Sequence, residues 1–465
     1  MAEWCIQFLG GDAASPWAWV VYVGVALFQV GVILAIVMTI VPFATWAERK
    51  IAGRIQDRLG PTRVGGRFGW LQPLADGLKL LSKEDLIPRD ADGFLFRLAP
   101  YAAFAPAFAV FLALPFADGW VAQHLNIAVF FILAVAGLEI FGIILGGYAS
   151  GSKWSLLGAM REGAQVVSYE VPLTFSAVIP VLIAGTMDLT AIGNMQRGWF
   201  WNWFLFHDPF TFVAFWIYMT CATAGTNRAP FDLAEAESEL VAGFHTEYSG
   251  FRWSVFFMGE YASMTAFSGL AAILFLGGWN GPIPILSAVG LTAGNGTTAG
   301  FVGNLLGAVN FLVKCSLGVV FMMWLRWTLP RLRIDQVITM CWKYCFPLVC
   351  LAFAGAVLWT YFFPGGLIFG RPLGTVPEVV SPGRPAGVAP LAADRAGNSG
   401  CRAIASAAQA AEDRPFIPTG DSALDVEPSP RVEPLPRMLR TAVAEARSTA
   451  SAVHSGGPLR RAMTP

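Results

Sequence analysis

Charge is scarce in this chain. Asp, Glu, Lys and Arg together make up 13% of its 465 residues, about half the share a water-soluble domain carries. That scarcity excludes an ordinary soluble protein. Net charge is zero and no basic block interrupts the sequence, which removes the electrostatic footprint of a nucleic-acid binder. Cysteine stands at 5, 221, 315, 341, 345, 350 and 401 without a Cys-x-x-Cys pair or a His at ligand spacing. Zinc and iron–sulfur sites are thereby excluded, and the thiols read as polarizable helix filler. The four histidines, His124, His207, His245 and His454, form no pair at haem-ligand spacing within an apolar stretch. Neither a Gly-x-Gly-x-x-Gly after a strand nor a P-loop occurs, so the chain carries no nicotinamide site of its own. The first sixteen residues hold no Lys or Arg, which excludes a cleavable signal peptide and leaves the first apolar segment in place as a helix. No internal repeat is visible, against a transporter built from duplicated halves.

What remains is apolar. Hydrophobic residues reach 55%, with 17 Trp and 36 Phe and a mean hydropathy of +0.56. Stretches long enough to cross a hydrocarbon core lie at 17–45, 97–116, 125–148, 166–186, 209–226, 254–277, 301–326 and 344–363. The expected fold is an all-α integral membrane protein of about eight transmembrane helices. Pro100 and Pro106 interrupt the second span and Pro172 and Pro180 the fourth, a pattern membrane helices accommodate when neighbours satisfy the freed carbonyls. The loops 46–96, 149–165, 227–253 and 327–343 hold sixteen Lys and Arg, whereas the opposite loops hold only Arg197. The positive-inside rule makes the crowded side cytoplasmic and puts both termini outside. Residues 1–16 are then a periplasmic N-terminus and 17–363 the membrane domain. Residues 364–465 are rich in Pro, Ala and Arg and read as a disordered extension.

The cytoplasmic loops carry the chemistry. In the first, Leu74, Leu78 and Leu81 recur at helical spacing while Asp76, Lys79 and Lys83 share another face, predicting an amphipathic helix along the membrane surface. Taken alone, that periodicity favours an ordinary interfacial anchor with snorkelling lysines. In the third loop, Pro230 can open a short helix and Gly243 close it, which would put Asp232, Glu235 and Glu239 on one face. Such carboxylates either form a solvated acidic surface or, crowded and partly desolvated, hold protons near neutral pH. His245 lies beside them. Within the spans stand Glu139, Glu170, Glu260 and Lys314. Ionisable groups at membrane depth point to proton relays or buried pairs. Glu139 and Glu170 are read as relay members, while Glu260 and Lys314 fit either role, including a Lys314–glutamate pair.

At these residues the sequence closely resembles the quinone-binding membrane subunit of respiratory complex I, the H subunit of bacteria and subunit 1 of mitochondria. The likeness rests on Ala47-Glu-Arg-Lys, Leu59-Gly-Pro, Leu71-Gln-Pro-Leu-Ala-Asp with Lys83-Glu84, the stretch from Gly147 through Arg161-Glu-Gly-Ala-Gln, Ser168-Tyr-Glu, and Asn227-Arg-Ala-Pro-Phe-Asp through Glu247-Tyr. It spans residues 17–363. Ala234 departs from the family's usual Pro or polar residue, and the tail lies outside the likeness.

The resemblance implies an eight-helix protein of the bacterial inner membrane whose cytoplasmic loops help enclose a quinone tunnel. Ubiquinone would be the substrate, with NADH, FMN and iron–sulfur clusters only on partner subunits. The partners would be the peripheral-arm quinone-site subunits, small membrane-arm subunits and lipid. Arg49, Gln72, Asp76, Arg228, Phe231 and Asp232 would line or gate the chamber. Glu235, Glu237, Glu239 and Glu247, followed by Glu170 and Glu139, would couple quinone reduction to proton translocation. Three rival readings stand beside this: the corresponding component of an energy-converting hydrogenase, a stand-alone transporter with an acidic gate, and a structural scaffold.

Overall fold

A computed structural model describes residues 18–235, 237–283 and 298–363. The periplasmic reading of 1–16 and the disorder expected of 364–465 lie outside the described residues. All described residues belong to one compact unit, 1–380. Among them the backbone is helical, and the only β pairing is an isolated bridge between Ala117 and Trp120.

The helices are α1 (Ala18–Ile55), α2 (Gln72–Ser82), α3 (Gly93–Ala113), α4 (Ala128–Gly137), α5 (Glu139–Ala149), α6 (Lys153–Ala184), α7 (Leu189–Met195), α8 (Pro209–Gly225), α9 (Glu237–Leu240), α10 (Gly250–Phe275), α11 (Thr298–Thr328), α12 (Ile334–Thr339) and α13 (Phe346–Phe362). A π turn, Met340–Cys345, joins α12 to α13 in one continuous rod. Among the described residues, six helices are long and apolar enough to cross a membrane: Trp19–Ile55, Gly93–Ala113, Ala128–Ala149, Lys153–Ala184, Gly300–Thr328 and Ile334–Phe362. The remaining two expected spans fall on α8, apolar but 17 residues long, and on α10, whose 26 residues are buried along most of their length. Length and apolarity thus support six spans, and the eight of the sequence reading are not established by them.

Small residues set the helix crossings, as expected where lipid supplies no hydrophobic force between helices. A Cβ at Gly142 would lie 2.2 Å from the backbone nitrogen of Ala103, and one at Gly147 would lie 2.3 Å from the Ala159 Cβ. The first contact docks α5 on α3 and the second docks it on α6. Helix α1 continues well past the roughly 20 residues a bilayer needs, so its last turns stand among the charged loops. It ends at Ile55, and Asp57 in the turn that follows adopts a left-handed φ of 53°. Helix α2 starts with Pro73 in its first turn, where a missing N–H loses nothing. Leu74, Leu78 and Leu81 are each at least 60% exposed. A soluble protein would bury that stripe, and the amphipathic surface helix expected from the spacing is what forms.

The acidic segment folds differently from expectation. No helix runs from Pro230 to Gly243. The Pro230 carbonyl accepts from the Leu332 backbone N–H at 3.0 Å, and Leu233 N–H turns back to Phe231 at 2.9 Å. With those groups engaged, residues 231–235 form turns, and only Glu237–Leu240 is helical. Gly243, at φ +63°, closes the segment so tightly that a Cβ there would stand 1.7 Å from the Ala234 carbonyl oxygen. Ala234 itself is fully buried.

Candidate functional site

The end of α1 presents two neighbouring residues in opposite directions. Arg49 turns outward and pairs with Asp76 of α2, whose other oxygen accepts from Gln72 at 3.3 Å and lies 3.5 Å from Lys79. Three residues expected at the chamber, Arg49, Gln72 and Asp76, therefore meet in one contact. Partial burial pushes the Asp76 carboxyl up, but the hydrogen bond and charge of Arg49, aided by Lys79 and Gln72, outweigh it and hold the group below the usual range.

Glu48 turns inward. Its carboxylate accepts from Arg326 at 2.7 Å and from the Tyr261 hydroxyl, and lies 3.6 Å from Arg228. Arg228 is 3% exposed, stacks its guanidinium 4.2 Å from the Tyr261 ring centre, and stands 3.8 Å from Glu260. Burial opposes a charge there, but the Tyr261, Glu48 and Glu260 side chains overcome it and raise the Arg228 pKa further. Its Nε and Nη2 groups make no hydrogen bond, so this guanidinium is held by charge and ring contact. Deleting one partner of such a buried ion pair costs about 3–5 kcal/mol.

The third-loop acids are partnered one by one. Asp232 meets Arg331 at 3.0 Å, Glu235 meets His245 at 3.5 Å, and Glu239 meets Arg161 at 2.6 Å. They do not share a helical face. Burial and the neighbouring Glu235 charge raise the Asp232 carboxyl above its ordinary range, against the opposing pull of Arg331 and Arg326. Burial would raise the Glu235 carboxyl, but His245, the neighbouring Glu260 and Arg228 keep it low. Phe231 is buried beneath this loop. Glu237 begins α9, and Glu247 sits half-buried in the turn before α10. Among the described residues no ion pair ties Glu247 to the cluster.

Below this cluster a cavity opens between α5, α6 and α10, lined by Glu139, Glu162, Glu170 and Glu260 together with Tyr169 and Asn227. Glu139 sits at the break between α4 and α5, in the first turn of the latter rather than mid-helix, and accepts from Ser263 at 2.6 Å. Glu170 reaches the same break: a Cβ on Gly137 would stand 2.5 Å from its Oε1. Glu162 is 2% exposed and lines the cavity with Asn227, and its Oε2 has no hydrogen-bond partner. Asn227 holds a left-handed φ of 50° and also accepts from Gln165 at 3.2 Å.

Sequence reading missed Glu48, Glu162, Tyr261 and Arg326. Glu162, Gln165 and Tyr169 recur at i, i+3 and i+7, a polar stripe on an otherwise apolar helix, and that spacing was the available signal for Glu162. Lys314 has no glutamate partner among the described residues. Its ammonium donates to the carbonyls of Leu276, Gly278 and Asn280 at 2.5, 3.0 and 2.5 Å and lies 4.3 Å from the Trp203 ring centre. The Lys314 ammonium thus ties down the carbonyls of the turn that follows α10.

Long apolar helices around a buried row of carboxylates define a multi-pass membrane protein with acid groups held at membrane depth. Residues 28–357 match the family model described as NADH dehydrogenase. The chain is 44% identical over 324 residues to the NADH-quinone oxidoreductase H subunit of Chlorobium luteolum, covering 69% of this chain and 85% of that protein. Against the counterpart of the same description in Geobacillus kaustophilus it is 46% identical over 316 residues, 68% of this chain and 88% of that protein. The chain belongs to this family, the membrane H subunits of NADH-quinone oxidoreductase, or complex I. It is accordingly a membrane component of an oxidoreductase complex and works among other complex I subunits.

Proposed function

We propose that this protein forms part of the quinone chamber and couples quinone reduction to proton translocation through its buried acids. The reading rests on one observation: carboxylates run from the loop cluster at Asp232 and Glu235, through Glu260, to the cavity lined by Glu162, Glu139 and Glu170. Arg228 stands between the loop acids and Glu260, 3.8 Å from the latter, so a change of charge at the loop is felt at the Glu260 carboxyl. Each further carboxyl feels that change through a medium of low dielectric, where Coulomb interactions fall off slowly. The Arg49–Asp76 contact, with Gln72, fastens α2 to the end of α1 and forms the membrane-side lip of the chamber. Ubiquinone enters past the exposed leucines of α2, is reduced by an iron–sulfur cluster on a peripheral-arm partner, and changes the charge beside Arg228 and Asp232.

In this arrangement NADH, FMN and the clusters belong to partner subunits, among them the peripheral-arm quinone-site subunits and small membrane-arm subunits. The crowded basic loops face the cytoplasm and both termini the periplasm, with α8 and α10 completing eight spans. Photo-crosslinking with a quinone analogue in native membranes tests the chamber. The expected outcome is label within 46–96 and 227–253, competed away by added ubiquinone; label confined to other subunits contradicts the assignment.

A further inference from the structure

Arg228 stands between two carboxylates and closes on neither. Its Nη1 is 3.6 Å from Oε2 of Glu48, and its Nη2 is 3.8 Å from Oε2 of Glu260, both beyond hydrogen-bond length. The buried Nε and Nη2 groups make no hydrogen bond among the described residues. A buried donor left unpaired is unfavourable, and a charge-assisted bond to a carboxylate is among the strongest a guanidinium can form. Something must therefore hold the group off two acids that lie within a small movement of it.

Tyr261 is the side chain placed to do so. It follows Glu260 on α10, is 2% exposed, and touches both sides of the gap. Its ring centre lies 4.2 Å from the guanidinium carbon of Arg228, and its hydroxyl donates to Oε2 of Glu48, the same oxygen that faces Arg228. The other oxygen of Glu48 accepts from Arg326 at 2.7 Å, so donors from α10 and α11 fix this carboxylate from two directions. The ring is held in its turn. Trp253, Phe257 and Tyr261 recur at every fourth residue along one face of α10, with successive ring centres 5.1 and 4.7 Å apart. That row of rings leaves Tyr261 little freedom to swing aside.

From this arrangement we infer that Tyr261 is a positioning residue, whose ring and hydroxyl keep the Arg228 charge uncommitted between Glu48 and Glu260. A guanidinium bonded to one carboxylate is neutralised locally and answers weakly to any new charge. Held between two, it can shift toward either without first breaking a strong bond, and so it passes on a charge change that arrives at the loop. The position of the guanidinium follows from this chain's own contacts, whereas its consequence for turnover rests on the proposed function.

The test compares assembled complex containing the unaltered chain with complex carrying Tyr261→Phe, which keeps the ring and removes the hydroxyl. Electron cryo-microscopy at side-chain resolution reads where the guanidinium lies, and steady-state NADH:quinone kinetics read the consequence. In the unaltered complex Arg228 should lie over the ring, outside hydrogen-bond length of both acids. In Tyr261→Phe it should close on Oε2 of Glu48, and kcat should fall severalfold while KM for quinone stays unchanged, the split expected when substrate binding is untouched. Adding Glu48→Gln to Tyr261→Phe removes the charge that draws the guanidinium away, and Arg228 should then turn toward Glu260. A direct hydrogen bond from Arg228 to Glu48 or Glu260 in the unaltered complex would overturn the inference without recourse to any variant. So would a guanidinium that keeps its place in Tyr261→Phe. A guanidinium that moves while kcat holds would support the positioning role and contradict the part given to Arg228 in turnover.

Discussion

Asp232 shows how a single side chain can be tuned by its loop. Burial and the Glu235 charge favour its neutral form, while Arg331 and Arg326 pull the other way without reversing the outcome. Because the folded-state pKa is raised, the favourable neutral state is fully present below the ordinary aspartate value and is lost as pH rises through the raised one. Asp76 has the opposite sign: its contact with Arg49 and Lys79 lowers the pKa, so that contribution is present above the ordinary aspartate value and fades only as pH falls through the lowered one. Infrared titration of the assembled complex should therefore show an aspartic C=O band above the ordinary range that disappears in Asp232→Asn and persists in Asp76→Asn. A band unaffected by Asp232→Asn would contradict the assignment. Most of these residues could be named from the sequence because charge stands out in an apolar chain. Their partners could not. Arg331 lies ninety-nine positions from Asp232 and Arg326 lies 278 from Glu48, and no local pattern carries such distances.

Elements were legible where one physical rule governed them. Each apolar run became a helix because lipid leaves the backbone no other way to satisfy itself, and α2 formed at its leucine spacing. The acidic loop is not the helix its spacing suggests: the Pro230 and Gly243 punctuation is sound, but the tertiary claim of Leu332 on the Pro230 carbonyl is invisible in the sequence. Likewise the break at Leu138 is hidden within a uniformly apolar run, and it is this break that admits Glu170 beside Glu139. Gly243 is the residue on which the loop's seat depends. Its left-handed backbone alone makes a side chain there unfavourable by roughly 1–3 kcal/mol, and the close Ala234 carbonyl adds to that. Gly243→Ala is expected to lower complex assembly and the melting temperature. Gly24→Ala, at an open position on α1, should leave both unchanged. Equal assembly of the two variants in a native gel would show that the loop does not need this turn.

At the scale of the whole molecule, the chain places four carboxyls in one cavity under a charged loop surface and contains no redox centre of its own in the proposed mechanism. Electron delivery on a partner and proton movement here are then linked only by charge. Burying four acids together is unfavourable unless some are neutral, since adjacent carboxylates in low dielectric cannot all ionise. The composition made a membrane protein evident, and the ordered motifs made the family evident. Glu162 had a signal in its polar stripe with Gln165 and Tyr169, but the carboxyls it joins are gathered only once α5, α6 and α10 are brought together. The central claim is that these cavity acids change protonation as quinone is reduced. NADH-triggered infrared difference spectroscopy on the assembled complex measures it most directly. The account predicts a signal in the protonated-carboxyl region during turnover, diminished in Glu162→Gln with proton pumping reduced about tenfold, equivalent to about 1.4 kcal/mol. An unchanged spectrum in that variant, with pumping at full stoichiometry, would contradict it.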